Sequence, residues 1–176
     1  MEYRIRPFKE SDVEDINEMR TMPGVMETIP TLTSESVSFT RELYTKYDPD
    51  FPAFCAVVDT PNGEKVIGHA MLVLYKKARL RHVASVAIIV NAKYQDMGVG
   101  RALLSRLLDI ADNWLMLVRV ELEVQAENAR AVHLYQSLGF QHEGLIKYGV
   151  MQNGKYRDII IMGRYNMHEG AFDAEH

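Results

Sequence analysis

Residues 83–101 constrain the fold more than any other part of the chain. Val83 to Val90 is a run of β-branched and small apolar residues, which reads as a buried strand. After a short loop, Val99, Ala102, Leu103, Leu107, Ile110, Ala111 and Trp114 recur at helical spacing. Strand, glycine-bearing loop and helix thus follow directly, and the chain reads as an α/β domain. Gly98 and Gly100 let backbone approach a ligand closely, and the first helical turn leaves N–H groups without intrahelical partners. Such a place suits an anion. Arg101 in that first turn opposes the helix dipole unless a negative ligand or Asp96 compensates it. A diphosphate would compensate both.

The spacing excludes the better-known phosphate loops. GxxxxGK[ST] is absent, and no third glycine completes a dinucleotide fingerprint. The pattern present is Q-x-x-G-x-G, from Gln95 through Asp96, Met97, Gly98 and Val99 to Gly100. A chain of 176 residues, 47% of them hydrophobic and 25% charged, has room for one sizeable core. We expect one domain over residues 1–168 and a frayed tail over 169–176. A net charge of −4 gives no global attraction for nucleic acid or membrane, so neither is an expected partner, and a polyanion must be held by local groups. Cys55 is the single cysteine, which excludes an intrachain disulfide and suits a reducing compartment. The start, Met1 to Arg6, is charged where a signal peptide would be apolar, and no run approaches a membrane span. A cytoplasmic location is the expectation.

In chain order, Tyr3, Ile5 and Pro7 suggest a first strand, and Ser11 with Glu14 forms the S-x-x-E pattern of a capping box opening a helix that stops at Pro23-Gly24. Met22 to Thr33 is apolar for a loop and reads as packed on the core, with a pocket wall as the functional alternative. A helix from Ser34 to Lys46 should end near Asp48-Pro49. Ala53 to Asp59 and Val66 to Tyr75 read as a hairpin around Pro61-Asn62-Gly63, and Lys76 to Arg81 as a solvated basic connection. Val118, Val120, Leu122 and Val124 alternate with Arg119, Glu121, Glu123 and Gln125, which gives a strand one apolar and one polar face. A short helix from Asn128 to Leu138 and two closing strands, joined at Asn153-Gly154, complete the pattern.

Asn128 suits an N-cap, and Asn128, Ala131 and Tyr135 fall near one helix face. The two stretches together carry a resemblance. Q-x-x-G-x-G after a strand is similar to motif A of the GNAT superfamily of acyl-CoA-dependent N-acyltransferases. N-x-x-A-x-x-x-Y-x-x-x-G-F, from Asn128 to Phe140, is similar to its motif B. The resemblance implies the GNAT fold, a mixed, mostly antiparallel sheet of about seven strands flanked by about four helices. Asp112 to Leu115, Glu143-Gly144, Asn153-Gly154 and Tyr156 look more narrowly like bacterial amino-acid N-acetyltransferases.

The resemblance also assigns roles. Acetyl-CoA is the implied cosubstrate, with no metal. Backbone groups of Ile88, Ile89 and Val90 would bind the pantetheine arm and the acyl oxygen. Backbone N–H groups from Gln95 to Gly100, with Arg101 in the following turn, would face the diphosphate. Asn128 would hydrogen-bond the pantetheine region, and Ala131 leaves room along the helix. Tyr135 would give its proton to the departing sulfur, as a phenol of pKa about 10 set beside a thiol of about 8.5. Many family members place a carboxylate on the fourth strand; His82 to Ile88 has none. Glu121 and Glu123 are the candidate bases, with His69 and His82 as water-mediated relays.

At pH 7 an α-amine of pKa near 7.8 is roughly 14% neutral and a lysine-like amine roughly 0.04%. A missing dedicated base therefore leans toward α-amines. The expected reaction is direct attack by a small primary amine, an amino acid as first guess, in a ternary complex. A protein N-terminal acetyltransferase and a non-catalytic acyl-CoA-binding regulatory domain are the alternatives. The family suggests a homodimer. A metal site is not expected, because the six histidines are scattered and no HxxH or CxxC occurs. Cys55 reads as core, Tyr94 as a brace for the loop, and Lys93 and Arg130 as either adenosine-phosphate contacts or solvated charges.

Overall fold

The alternating and continuous apolar runs become seven strands in the computed structural model, which describes residues 2–45 and 51–167. They are β1 (Arg4–Pro7), β2 (Ala53–Thr60), β3 (Gly63–Leu74), β4 (Val83–Val90), β5 (Arg119–Gln125), β6 (Gln141–Gln152) and β7 (Lys155–Tyr165). Their order in the sheet is β1-β2-β3-β4-β5-β7-β6. β4 and β5 run parallel, whereas β1–β2, β2–β3, β5–β7 and β6–β7 are antiparallel. Four α-helices accompany them among the described residues: α1 (Val13–Thr21), α2 (Val37–Thr45), α3 (Val99–Asn113) and α4 (Ala129–Ser137). Seven strands in a mixed sheet and four helices match the expected class. The chain divides into two compact units, Met1–Val73 with Ala87–Leu107 and Leu74–Val86 with Leu108–His176.

In the first unit, Ile16, Met19, Val25, Cys55, Val57, Val66 and Ile89 form a buried cluster, with Phe8, Met22, Ile29 and Tyr44 packed against it. Burying each large aliphatic side chain contributes about 1.5–3 kcal/mol. The loop before α2 is therefore apolar because it closes this core. Its polar staple is Glu35, whose carboxylate accepts from Arg20, Thr31 and Thr40, while Asn17 donates to the Glu35 carbonyl and to Thr40. The start of α1 departs from the capping box read at Ser11 and Glu14. A single 3-10 turn, Glu10–Asp12, leads into the helix, and the Asp12 carboxylate accepts the Lys9 N–H at 2.8 Å. Asp12 prevails because it is buried and also takes two hydrogen bonds from Arg6 at 2.8 Å, charge-assisted contacts that a serine hydroxyl cannot match.

Within the second unit, β5 presents Val120, Leu122 and Val124 as its buried face, as the alternation requires. Gln125 breaks the pattern and is buried too. The β4–β5 pairing runs Val83–Arg119, Ala84–Val120 and Ser85–Glu121. β7 pairs with all seven residues of β5. At the β6–β7 turn Asn153 and Gly154 have φ of +48° and +70°, the two left-handed positions of a type I′ hairpin, which fits the Asn-Gly dipeptide. Trp114, read from its spacing as an inward helix position, instead lies just beyond α3 and is exposed. The helix ends at Asn113, where the chain turns through Met116 at φ +49°, so the periodicity has lost its meaning one residue earlier. The expected helix end near Asp48-Pro49 and the tail beyond Met167 lie outside the described residues.

Candidate active site

The first unit supplies the strand end, loop and helix start. Ile88, Ile89 and Val90 close β4; Ile89 is buried and its two neighbours are half-buried. The Asn91 N–H bonds the Ile67 carbonyl at 2.9 Å, and the Asn91 side chain accepts the Lys93 N–H at 3.0 Å, starting a 3-10 turn over Ala92–Tyr94. The Gln95 side chain then reaches back and donates to the Val90 carbonyl at 3.1 Å. The motif glutamine thus fixes the loop against the end of β4 with its amide. Asp96 and Gly98 both take left-handed backbone, at φ +60° and +81°. An aspartate tolerates this conformation better than most side chains, and a glycine adopts it without steric cost.

The first bond inside α3 that spans four residues runs from the Ala102 N–H to the Gly98 carbonyl at 3.0 Å. The N–H groups of Val99 and Gly100 precede it and so have no acceptor one turn back in the helix. With the helix dipole behind them they fit an anion of diphosphate type. Gly98 is exposed, and a Cβ built on it would meet only the Tyr3 hydroxyl at 3.9 Å, so its glycine answers to backbone conformation rather than crowding. Asp96, Met97 and Arg101 are exposed alongside.

In the second unit, Asn128 caps α4 with its side-chain oxygen, which accepts the Ala131 N–H at 3.2 Å. Replacing such a cap by alanine costs about 1 kcal/mol. Ala131 is half-buried, and Tyr135 is buried with its ring set edge-on to Phe140 at 5.9 Å between centroids. Burial pushes the Tyr135 phenol up to about 12, because a phenolate there would lose its hydration.

The two candidate bases on β5 sit in different surroundings. Glu121 is half-buried and accepts the Tyr75 hydroxyl at 2.6 Å and the Arg119 guanidinium at 3.0 Å. Arg119 also donates two hydrogen bonds of 2.6 Å to Glu143, and Tyr165 donates to Glu143 as well. The hydrogen bond to Glu121 raises the Tyr75 phenol, with burial adding to it. Glu123, by contrast, is exposed. Sequence reasoning missed Tyr75, which comes to Glu121 from just beyond the end of β3, and the pairing of Glu121 with Arg119 two residues before it on the same strand.

The remaining candidates fall away from chemistry. His69 is fully buried, packed against Phe8 and Tyr44, and desolvation holds its imidazole down at about 3, so it stays neutral. Cys55 is buried in the core, and desolvation with the Asp12 charge pushes its thiol well up. Among the described residues no group of three acidic, histidine or cysteine side chains could hold a metal ion.

The glycine loop ahead of α3 and the capped helix with its buried tyrosine both lie inside the stretch that a family model matches. The model of the acetyltransferase (GNAT) family covers residues 24–140, well over half of the chain. The chain belongs to the acetyltransferase (GNAT) family. It is an acetyl-CoA-dependent N-acetyltransferase. It is 35% identical over 115 residues to an L-amino acid N-acetyltransferase of Escherichia coli (strain K12), a match spanning 65% of this chain and 70% of the relative. It is 29% identical over 165 residues to a spermidine N(1)-acetyltransferase of Vibrio cholerae, spanning 92% of this chain and 94% of the relative. The structure of Vibrio cholerae spermidine N-acetyltransferase in complex with CoA and spermine superposes on 93% of this GNAT chain and 95% of its own, with a TM-score of 0.76 and 27% identity.

Proposed function

We propose that this acetyltransferase acts on the α-amine of a free amino acid by direct attack in a ternary complex. The observation that carries the reading is the 35% identity to an enzyme named for L-amino acids. The surroundings of Glu121 support it, since a carboxylate already engaged by Tyr75 and Arg119 is a poor proton acceptor and an α-amine needs less help.

Acetyl-CoA supplies an acyl carbon already activated as a thioester. The Val99 and Gly100 N–H groups hold its diphosphate, and backbone groups of Ile88 to Val90 align the pantetheine arm and polarise the acyl oxygen. Asn128 and Ala131 receive the pantetheine region. As the amine nitrogen bonds to the acyl carbon and the carbon–sulfur bond breaks, Tyr135 donates its phenolic proton toward the sulfur. A phenol near 12 is protonated at every physiological pH, so the donor is always armed. Glu123, directly or through water, takes the proton released by the nitrogen. Since acetyl-CoA is a cytoplasmic metabolite, the cytoplasm is the compartment this reading requires.

Similarity to spermidine N(1)-acetyltransferase over 92% of the chain favours a polyamine as the second reading. A thiol-release assay with acetyl-CoA against amino acids, polyamines and N-terminal peptides decides between them. We expect saturable turnover on an amino acid. Turnover on spermidine alone would replace the first reading by the second. Tyr135→Phe should lower kcat at least tenfold with acetyl-CoA affinity nearly unchanged, whereas a non-catalytic acyl-CoA sensor would show no turnover to lose.

A further inference from the structure

Between β3 and β4 the chain reads Lys76-Lys77-Ala78-Arg79-Leu80-Arg81-His82, with no acidic residue, in a protein whose net charge is −4. Every one of these seven residues is exposed, and the segment is shaped by a short 3-10 turn, Ala78–Leu80. The cations are not consumed by ion pairs: none of Lys76, Lys77, Arg79 and Arg81 has an acidic partner among the described residues, unlike Arg119 or Arg164 in the same unit. In water such a run is held apart by its own repulsion, and it gains most from an external anion.

What lies beside it decides the kind of anion. The His82 carbonyl accepts the N–H groups of both Val118 and Arg119, at 3.0 and 3.1 Å, and the Val118 carbonyl accepts the Asn166 N–H at 2.9 Å. These bonds set the basic segment alongside the turn after α3 and the end of β7. Both carry large apolar side chains in water: Trp114 at 78% exposure, Met116 at 53% and Met167 at 61%, with Leu80 at 40% within the basic segment itself. The nearest acid of that turn, Asp112, is occupied by Arg164 through two hydrogen bonds of 2.7 Å.

We propose that this face docks on an anionic lipid surface, with Trp114, Met116 and Leu80 entering the headgroup boundary and Lys76, Lys77, Arg79 and Arg81 meeting lipid phosphates and carboxylates. A nucleic acid would use the cations but offers no apolar phase to leucine and methionine. An interface takes both, because tryptophan sits at headgroup level and long cationic side chains reach outward from it. Four cations near such a surface each strengthen binding about fivefold, an increment lost within a Debye length and hence under high salt. The surface is independent of the acetyl-transfer reading and of the residues assigned to it.

The test is co-sedimentation of the full chain with vesicles of phosphatidylcholine containing 30% phosphatidylserine, set beside pure phosphatidylcholine vesicles and single-stranded polyuridylate. The expected result is binding to the anionic vesicles alone, reversed by high salt. The double variant Lys77→Glu/Arg79→Glu should weaken that binding at least tenfold and Trp114→Ser several-fold, both with unchanged acetyl-CoA affinity. Because all three positions are exposed, the variants should keep the parent's melting temperature. Failure to bind the anionic vesicles overturns the proposal. So does stronger binding to polyuridylate, or a Trp114→Ser change that splits a dimer while leaving vesicle binding intact.

Discussion

Tyr135 shows how one side chain can be read twice. The resemblance to motif B was enough to nominate it as an acid, yet only burial tells how strong an acid it is. An ordinary phenol would be half ionised at pH 10 and would switch the reaction off around there. With its pKa pushed up to about 12, Tyr135 keeps its proton, so kcat/KM should climb as the acceptor amine deprotonates and show no falling limb up to pH 10. A pH–rate profile from 6 to 10 checks this, and a decline centred on 10 would refute it. Glu121 and Glu123 were indistinguishable in the sequence, as neighbours on one polar face. The contrast between them comes from Arg119, two residues before Glu121 on the same strand, and from Tyr75, which reaches β5 from elsewhere in the chain, as no periodicity announces. His69 was similarly opaque, because a strand histidine looks the same in sequence whether wet or buried.

Among the elements, the loop from β4 into α3 is where sequence and structure agree most closely. The strand boundaries Val83–Val90 and the helix start at Val99 follow directly from residue type, since β-branched residues, glycine punctuation and helical spacing all change at the same places. Gly98 at φ +81° is the position that lets the loop turn into the helix with its N–H groups outward. Gly98→Ala forces a side chain into left-handed backbone, at about 1–2 kcal/mol. The expected outcome is a raised KM for acetyl-CoA, several-fold or more, with the KM for the acceptor little changed, as steady-state kinetics would show. The start of α1 was legible only in part. A helix was evident from Val13, Ile16 and Met19, but the choice between Ser11 and Asp12 as its anchor depended on Arg6 arriving from β1, a contact invisible to local pattern.

For the molecule as a whole, acid is the natural threat, and three groups set the window. His69 is buried neutral at about 3, so the unfolded chain gains a proton below its ordinary 6.5 and stability falls from there downward. Glu35, held at about 2 chiefly by Arg20, stabilises the fold above the ordinary carboxylate value, and that contribution disappears as pH drops from about 4.5 toward 2. Asp12 is also held below its usual value, its hydrogen bonds with Arg6 and Lys9 outweighing desolvation. Glu35→Gln should therefore cost about 2 kcal/mol at pH 7 and flatten the loss of melting temperature below pH 4.5, measured by calorimetry across that range. An unchanged acid limb would show that Glu35 is not what staples α1 to the loop before α2.

The chain contains one tryptophan, and Trp114 spends that residue on the surface. Its emission should accordingly be that of an indole already in water, with little further change on unfolding. Tryptophan fluorescence is then a poor witness to the fold, which is better followed through the nine tyrosines or by circular dichroism. The same indole makes an optical reporter, without any attached dye, for whatever comes to rest against the turn after α3.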